Sequence, residues 1–238
     1  MTQATVGLCA SLAVVATLLS AGCREIHAPE ETTRRESKSI DRGGAESVSV
    51  EIHLGAGELD IHGGAQSLMD ATFRYSSSSG APEVKYNVVG RHGRLIIRQD
   101  SSHISGHHGN DWDLRLNQDI PMDVSVQHGA GASRLDLGTV QVRNVDVEMG
   151  AGELKLDLTG QPKRDMEVRV RGGVGEATIR LPRSAAIEVD AHGGIGEIQA
   201  SGLEKRGDRY VNDVPAADHK RILVNVRGGI GGIHLICE

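Results

Sequence analysis

Residues 143–156 read R-N-V-D-V-E-M-G-A-G-E-L-K-L. Apolar and polar residues alternate before the glycine pair and again after it, and this period of two predicts a β-strand on each side. The two glycines permit backbone angles that a Cβ atom would forbid, so we expect the chain to turn a corner between the strands. The stretch therefore predicts one strand–corner–strand unit.

The same pattern occurs six times and aligns without gaps on the Gly-x-Gly pair. Successive pairs are 74, 21, 23, 21 and 35 residues apart. A near-constant interval is typical of a solenoid, in which each coil buries the apolar columns of its neighbours. The predicted corner glycines are Gly55, Gly57, Gly129, Gly131, Gly150, Gly152, Gly173, Gly175, Gly194, Gly196, Gly229 and Gly231.

The fold class predicted from these repeats is all-β. Residues 47–238 are expected to form a parallel β-solenoid with coils of about 21–23 residues. We expect consecutive copies to be neighbours in the stack, so that the last copy, near Ile233, is an end that must be capped or must self-associate. The residue inside each glycine pair is expected to point into the core; these residues are Ala56, Ala130, Ala151, Val174, Ile195 and Ile230.

The two long intervals predict additions to the regular coils. Residues 66–100 contain three strand-like segments separated by turn sequences, which predicts a β-meander inserted into the stack or capping it. Residues 203–220 are polar and predict a loop excursion between the last two copies. Loop excursions of this kind often carry the function of a solenoid.

The N-terminus has the features of a targeting segment. Val6 to Leu19 is an apolar run of the length of a signal-peptide core, so residues 1–22 are predicted to be a signal peptide. The sequence L-S-A-G-C, ending at Cys23, resembles the lipobox of bacterial lipoproteins, which implies that Cys23 carries a lipid; an ordinary cleaved signal is the alternative. Residues 23–46 are charged and aperiodic, and predict a lipidated N-terminus with a flexible tether to the membrane.

The chain resembles the bacterial toast-rack envelope proteins and the related C-terminal domain of LiaF-type envelope-stress regulators. The resemblance covers Val48 to Ile236 and rests on G-A-G-E-L-D-I at Gly55, N-D-W-D-L-R-L-N at Asn110 and G-A-G-E-L-K-L-D-L-T-G at Gly150. It implies a β-solenoid at the cell envelope, and it supplies no catalytic residues.

Two groups of side chains are candidate metal ligands. Glu153, Glu176 and Glu197 follow the glycine pairs of copies three to five, and in consecutive coils their carboxylates would stack about 5 Å apart and could bind a divalent cation. A solvated column of charge is the alternative. The other group is His103, His107 and His108, which could bind zinc or copper, although their spacing matches no sharp ligand motif.

Composition and motifs favour a non-catalytic function. The net charge of −6 disfavours nucleic-acid binding, and an aromatic content of 2% disfavours a sugar-binding platform. A strand, not a helix, is predicted after every glycine pair, which argues against a nucleotide site. Cys237 falls in the inward column of Leu137, Leu158 and Leu181, which predicts a buried thiol.

We therefore expect a membrane-anchored lipoprotein of the cell envelope without a cofactor. Its solenoid surface would serve binding, adhesion, scaffolding or envelope-stress regulation, with another envelope protein as the partner and with self-association through the solenoid ends as a further possibility. The alternative is an enzyme or binding protein that acts on envelope polysaccharide, which would need a cleft with two carboxylates in unlike surroundings.

Overall fold

The computed structural model describes residues 32–77, 79–99, 110–217 and 219–238. Every regular element in these residues is a β-strand, and the strands form one connected sheet. The strands are β1 Thr33–Ile40, β2 Ser47–Gly63, β3 Met69–Ser76, β4 Glu83–Val89, β5 His92–Arg98, β6 Asp111–Leu116, β7 Met122–Asp136, β8 Val142–Asp157, β9 Met166–Leu181, β10 Ala186–His192, β11 Ile198–Ser201, β12 Glu204–Arg206, β13 Arg209–Val211, β14 Arg221–Ile230 and β15 Ile233–Cys237.

The sheet folds into two layers at the glycine corners. Strands β2, β7, β8 and β9 run through the corner, so that the first half of each lies in one layer and the second half in the other. The fifth copy uses β10 and β11, and the sixth uses β14 and β15, for the same two halves. All these neighbouring coils pair in parallel, which confirms the predicted β-solenoid.

The apolar columns of the repeat form the core between the two layers. The valine column is paired in register through the whole stack and is buried in every coil. Its members, in spatial order, are Val50, Val124, Val145, Val168, Val224 and Val189. Burial of six stacked aliphatic side chains contributes about 1.5–3 kcal/mol for each one.

The spatial order of the coils differs from their order in the sequence. β14 lies between β9 and β10, and β15 lies between β9 and β11, so the sixth copy fills the place between the fourth and the fifth. The expectation that consecutive copies are always neighbours is therefore wrong at this point. The long last interval makes the insertion possible, because the chain can pass beyond the fifth coil and return.

The excursion at residues 203–220 is the cap of the stack. It forms the hairpin of β12 and β13, and β13 pairs antiparallel with the outer edge of β10. Ile233, in the sixth copy, is buried inside the stack, so the prediction that the last copy is an end is wrong. In the second layer the described stack ends on β11, which pairs on one side only. Self-association through a solenoid end stays a prediction, and β11 is the strand through which it would occur.

The opposite end is capped in both layers. β5 pairs with the first half of β2 and carries β4 on its outer side, whereas β6 pairs with the second half of β2 and carries β3 and β1. The three strands predicted at residues 66–100 are present and act as a cap. They do not form one continuous meander, because β3 joins the second layer while β4 and β5 form a hairpin in the first.

The flexible tether predicted for residues 23–46 is wrong for part of its length. Thr33–Ile40 forms β1 and pairs with β3 along all eight residues. A polar sequence can form such a strand because main-chain hydrogen bonds hold it to the sheet edge, and because Ile40 packs against the core. Cys23 and the signal peptide lie outside the described residues.

The corner glycines serve two different needs. The second glycine of each pair has a φ angle between 129° and 147°, a backbone conformation that L side chains rarely adopt. The first glycine is needed for close stacking: a Cβ atom on Gly129 or Gly150 would overlap the carbonyl oxygen of the matching glycine in the preceding coil. The conformational prediction is confirmed for the second glycine, and the first is required by contact between coils.

Replacement of one corner glycine should destabilise the whole stack. Gly152→Ala combines a φ of 129° with a Cβ that would overlap the carbonyl oxygen of Gly131, so we expect a loss of roughly 3 kcal/mol or more in the free energy of unfolding. Urea denaturation of the purified protein measures this loss.

Gly172→Ala is the matched control for this substitution. A Cβ on Gly172 would meet no atom within 4 Å, and its φ angle is not in the left-handed region, so its stability should stay within about 1 kcal/mol of wild type. Equal losses in the two variants would contradict the role assigned to the corner.

Candidate functional site

The most exposed apolar surface of the repeats lies along the corners. Val174 is 54% exposed, Ile230 is 53% exposed and Ile195 is 70% exposed. The expectation that the residue inside each glycine pair points into the core is wrong for these three, and also for the exposed Ala130 and Ala151. Alternation is interrupted at the corner: residues two positions apart would share a face in a regular strand, but here the residue before the first glycine is on the inner side and the residue between the glycines is on the outer side.

These three side chains are adjacent in space. Val174 pairs with Ile230 across β9 and β14, and Ile195 forms a bridge with Ile230 from the other side. Neighbouring coils are about 4.8 Å apart, so the side chains form a continuous row of β-branched residues. We call Val174, Ile230 and Ile195 the corner ridge.

The ridge coincides with a change in how the corner is filled from inside. In the first three coils the inward position holds Leu54, His128 and Met149, all buried, and the outward position holds alanine. In the three coils of the ridge the inward position holds glycine, at Gly172, Gly228 and Gly193.

The exchange leaves space at Gly172, where a Cβ atom would meet nothing within 4 Å, whereas Ile233 fills the corresponding space at Gly228, with its Cδ1 3.1 Å from where a Cβ atom would lie. A pocket of about 40 Å³, open to solvent, is lined by Val174 and Ile230 together with Gly172 and Gly228. Large aliphatic side chains therefore stand in solvent where the first three coils have alanine, an arrangement that packing alone does not favour.

Charged residues border the ridge on both sides. Arg171, Arg227 and His192 precede the corner in the first layer, and Glu176 and Glu197 follow it in the second. Arg171 donates to Glu148, and Arg227 Nη1 lies 3.1 Å from Asp190 Oδ1. Because these cations already have partners, the distinctive feature of the surface is its apolar row.

The predicted column of glutamates is interrupted. Glu153 and Glu176 are directly paired in adjacent coils, but the next position in space is Gly232 of the sixth copy, and Glu197 lies beyond it. The three carboxylates are therefore not consecutive, and the prediction of an unbroken ladder is wrong. The reason is the insertion of the sixth copy between the fourth and fifth coils.

Each glutamate of the column also has a partner from the protein. Lys155 Nζ lies 2.6 Å from Glu153 Oε1 and lowers the pKa of that carboxyl through a hydrogen bond. His234 Nε2 lies 3.1 Å from Glu176 Oε1, and Gln199 donates to Glu197 at 3.0 Å. These contacts favour the alternative of a solvated, locally paired column.

The other predicted site residues have simpler outcomes. His103, His107 and His108 lie outside the described residues. Cys237 is buried and pairs with Leu181 in the inward column, as predicted, and burial raises the pKa of its thiol.

Within the part of the chain that the structure describes, no three His, Cys, Asp or Glu side chains are grouped to hold a metal ion. The described residues also contain no helix long and apolar enough to cross a membrane.

A buried polar pair was missed by the sequence analysis. His128 Nδ1 lies 2.7 Å from Ser133 Oγ, and both side chains are almost fully buried. They replace apolar members of two inward columns, Leu54 and Met149 in one and Leu59 and Leu154 in the other. The sequence carried a signal for this pair, because one copy has polar residues at two positions where the neighbouring copies have apolar ones. Burial keeps this pair away from any substrate, so it is a core contact.

Comparison with known proteins agrees with this architecture. Residues 28–180 match the family model described as the N-terminal domain of toast_rack, DUF2154. The chain belongs to the toast-rack family. The resemblance found in the sequence is thereby confirmed for this family, and the match covers β1 to nearly the end of β9.

A solved structure has a similar fold. A "putative cell adhesion protein" from Clostridium sporogenes is 32% identical, with a TM-score of 0.81, and the match covers 87% of this chain and all of that one. A "putative adhesin" from Bacteroides fragilis is 10% identical over 87% of this chain and 99% of that one, with a TM-score of 0.31. A comparison with curated proteins gave no match.

The buried histidine should make the stability of this toast-rack protein depend on pH. Desolvation lowers the pKa of His128 below its ordinary value of about 6.5, so protonation favours the unfolded chain. Its contribution is fully present above pH 6.5 and is lost as the pH falls through the window below that value. We expect the free energy of unfolding to fall between pH 7.5 and pH 5.

The double variant His128→Met/Ser133→Leu tests this prediction, because it restores the apolar residues of the neighbouring coils. Urea denaturation at the two pH values should show a smaller loss of stability than in wild type. Ser133→Ala keeps the histidine and should keep the pH dependence. An unchanged loss in the double variant would rule out His128 as its source.

Proposed function

We propose that this protein is a non-catalytic lipoprotein of the cell envelope whose corner ridge binds another envelope protein. The observation that carries the proposal is the row of Val174, Ile230 and Ile195, which places three large aliphatic side chains in solvent on adjacent coils. Exposed apolar rows rimmed by polar residues mark interaction surfaces in soluble domains.

The relationship to the protein from Clostridium sporogenes supports an adhesive or binding role. That protein matches over its whole length and is described as a putative cell adhesion protein. A solenoid suits this role because its stacked coils present a long, rigid surface. Trp112 and Phe73 are buried against each other in the N-terminal cap, and the three other aromatic residues of the chain are all Tyr. Sugar-binding sites usually present aromatic rings, so an aliphatic protein surface fits the ridge better than a sugar.

The carboxylates of the glutamate column argue against polysaccharide cleavage. A general acid needs a carboxyl whose pKa is raised, whereas the pKa of Glu153 is lowered by its contact with Lys155. Its neighbour Glu176 is also open to solvent and pairs with His234. Both carboxylates are thus solvent-exposed and paired with a side chain of the protein, whereas a general acid is usually set in apolar surroundings.

The ridge is tested by the triple variant Val174→Ala/Ile195→Ala/Ile230→Ala, which installs the residue present in the first three coils. Because these side chains are exposed, the stability should change by less than about 0.5 kcal/mol for each site. Chemical cross-linking of the full-length protein in cells, followed by mass spectrometry, should show at least about a ten-fold lower yield of the partner, because exposed apolar side chains at the centre of an interface carry much of the binding.

Val89→Ala is the control for the triple variant. Val89 is 80% exposed, but it lies on β4 at the opposite end of the stack. The control should keep the partner. Recovery of the same partner in equal yield from wild type, control and triple variant would show that the ridge is not the binding surface.

The lipid anchor is tested separately by Cys23→Ala. Acylation of Cys23 would hold the chain at the membrane, so the variant should lose lipid incorporation when cells are labelled with a radioactive fatty acid. Cys237→Ala is the control, because that thiol is buried in the core and should not affect labelling. Equal labelling of wild type and Cys23→Ala would exclude this cysteine as the attachment site.

A further inference from the structure

An open pocket, separate from the corner ridge, lies near the starts of β8, β9 and β14 in the first layer. It is a pocket of about 550 Å³ that opens to solvent. Its position is roughly 20 Å from the corner ridge, because seven residues of extended strand separate Glu167 from Val174. The walls include Arg143, Arg164, Lys220, Arg221, Asp165 and Leu223.

Two of the four cations in this pocket are neutralised by the protein. Arg143 donates through Nε and Nη2 to Asp123. Arg221 donates its backbone N–H to Asp165 Oδ1 at 3.0 Å, and its Nη2 lies 3.4 Å from Asp165 Oδ2. These pairs offset the positive charge of the two arginines at the rim of the pocket.

The other two cations make no ion pair within 4 Å among the described residues. Arg164 Nη2 has only a long contact of 3.5 Å to Gln141 Oε1, and its Nε is buried without a hydrogen-bond partner. Lys220 makes no close ion pair in the described part of the chain, although its charge adds to that of Arg221 in lowering the pKa of Asp165, and the nearby carboxylate of Glu167 is bound by Arg169. A buried N–H donor without an acceptor is unfavourable, so an anionic ligand that the Arg164 guanidinium turns to meet would stabilise this side chain.

We propose that Arg164 and Lys220 bind a phosphate group in this pocket. A planar guanidinium and a mobile ammonium on two walls of one concavity match the several oxygen atoms of a phosphate. The surplus of positive charge is local, since the chain as a whole carries a net charge of −6. Leu223 at the rim is 43% exposed and could contact an acyl chain if the phosphate belongs to a lipid headgroup.

The experiment uses the full-length protein and two soluble probes, inorganic phosphate and dihexanoyl phosphatidylglycerol below its micelle concentration. Binding is measured by titration calorimetry for wild type and for Arg164→Gln/Lys220→Gln. We expect the double variant to bind at least about ten-fold more weakly. Arg206→Gln/Lys205→Gln, which removes the same charge from the exposed hairpin of β12 and β13, should bind like wild type.

The outcomes separate the sources of the phosphate. Binding of both probes, weakened only by the pocket variant, supports a site for phosphate itself. Binding of the lipid alone, weakened also by Leu223→Ser, supports a headgroup site. Absence of binding by both probes, or equal weakening by the pocket and control variants, would overturn the proposal without affecting the function assigned to the corner ridge.

Discussion

The close approach of main chains at the glycine corners is the constraint on which the rest of the structure depends. At each corner the carbonyl oxygen of one coil occupies the space where a Cβ atom of the next coil would lie. Only glycine permits this approach, and only then can the strands on both sides of the corner pair in parallel without a break. Both layers and the core between them follow from this contact.

The same regular stacking lets the chain change the order of its coils. All copies present the same apolar columns, so the sixth copy packs between the fourth and the fifth as well as it would at the end. The exposed edge of the first layer is then covered by the polar hairpin of β12 and β13, which carries Glu204, Lys205 and Arg206 on its outer strand. Charged edge strands of this kind discourage pairing with other sheets.

The corners carry two different arrangements of side chains on the same backbone path. In the first three coils the larger side chain points into the core, and in the other three it points into solvent. The fold tolerates both arrangements because the glycines, not the side chains, set the path of the backbone. At the corner, the outward residue can therefore change from alanine to a large aliphatic residue while the strands of the stack keep their register.

The sequence by itself determined the all-β class, the parallel coils, the inward columns and the glycine corners, because a period of two and a repeated glycine pair are local signals. It placed Cys237 correctly for the same reason. It could not decide the spatial order of the fourth, fifth and sixth copies, since their inward columns are alike. The interruption between Glu176 and Glu197, the corner ridge and the meeting of Arg164 with Lys220 arise from contacts between distant segments, and only the tertiary structure decided them.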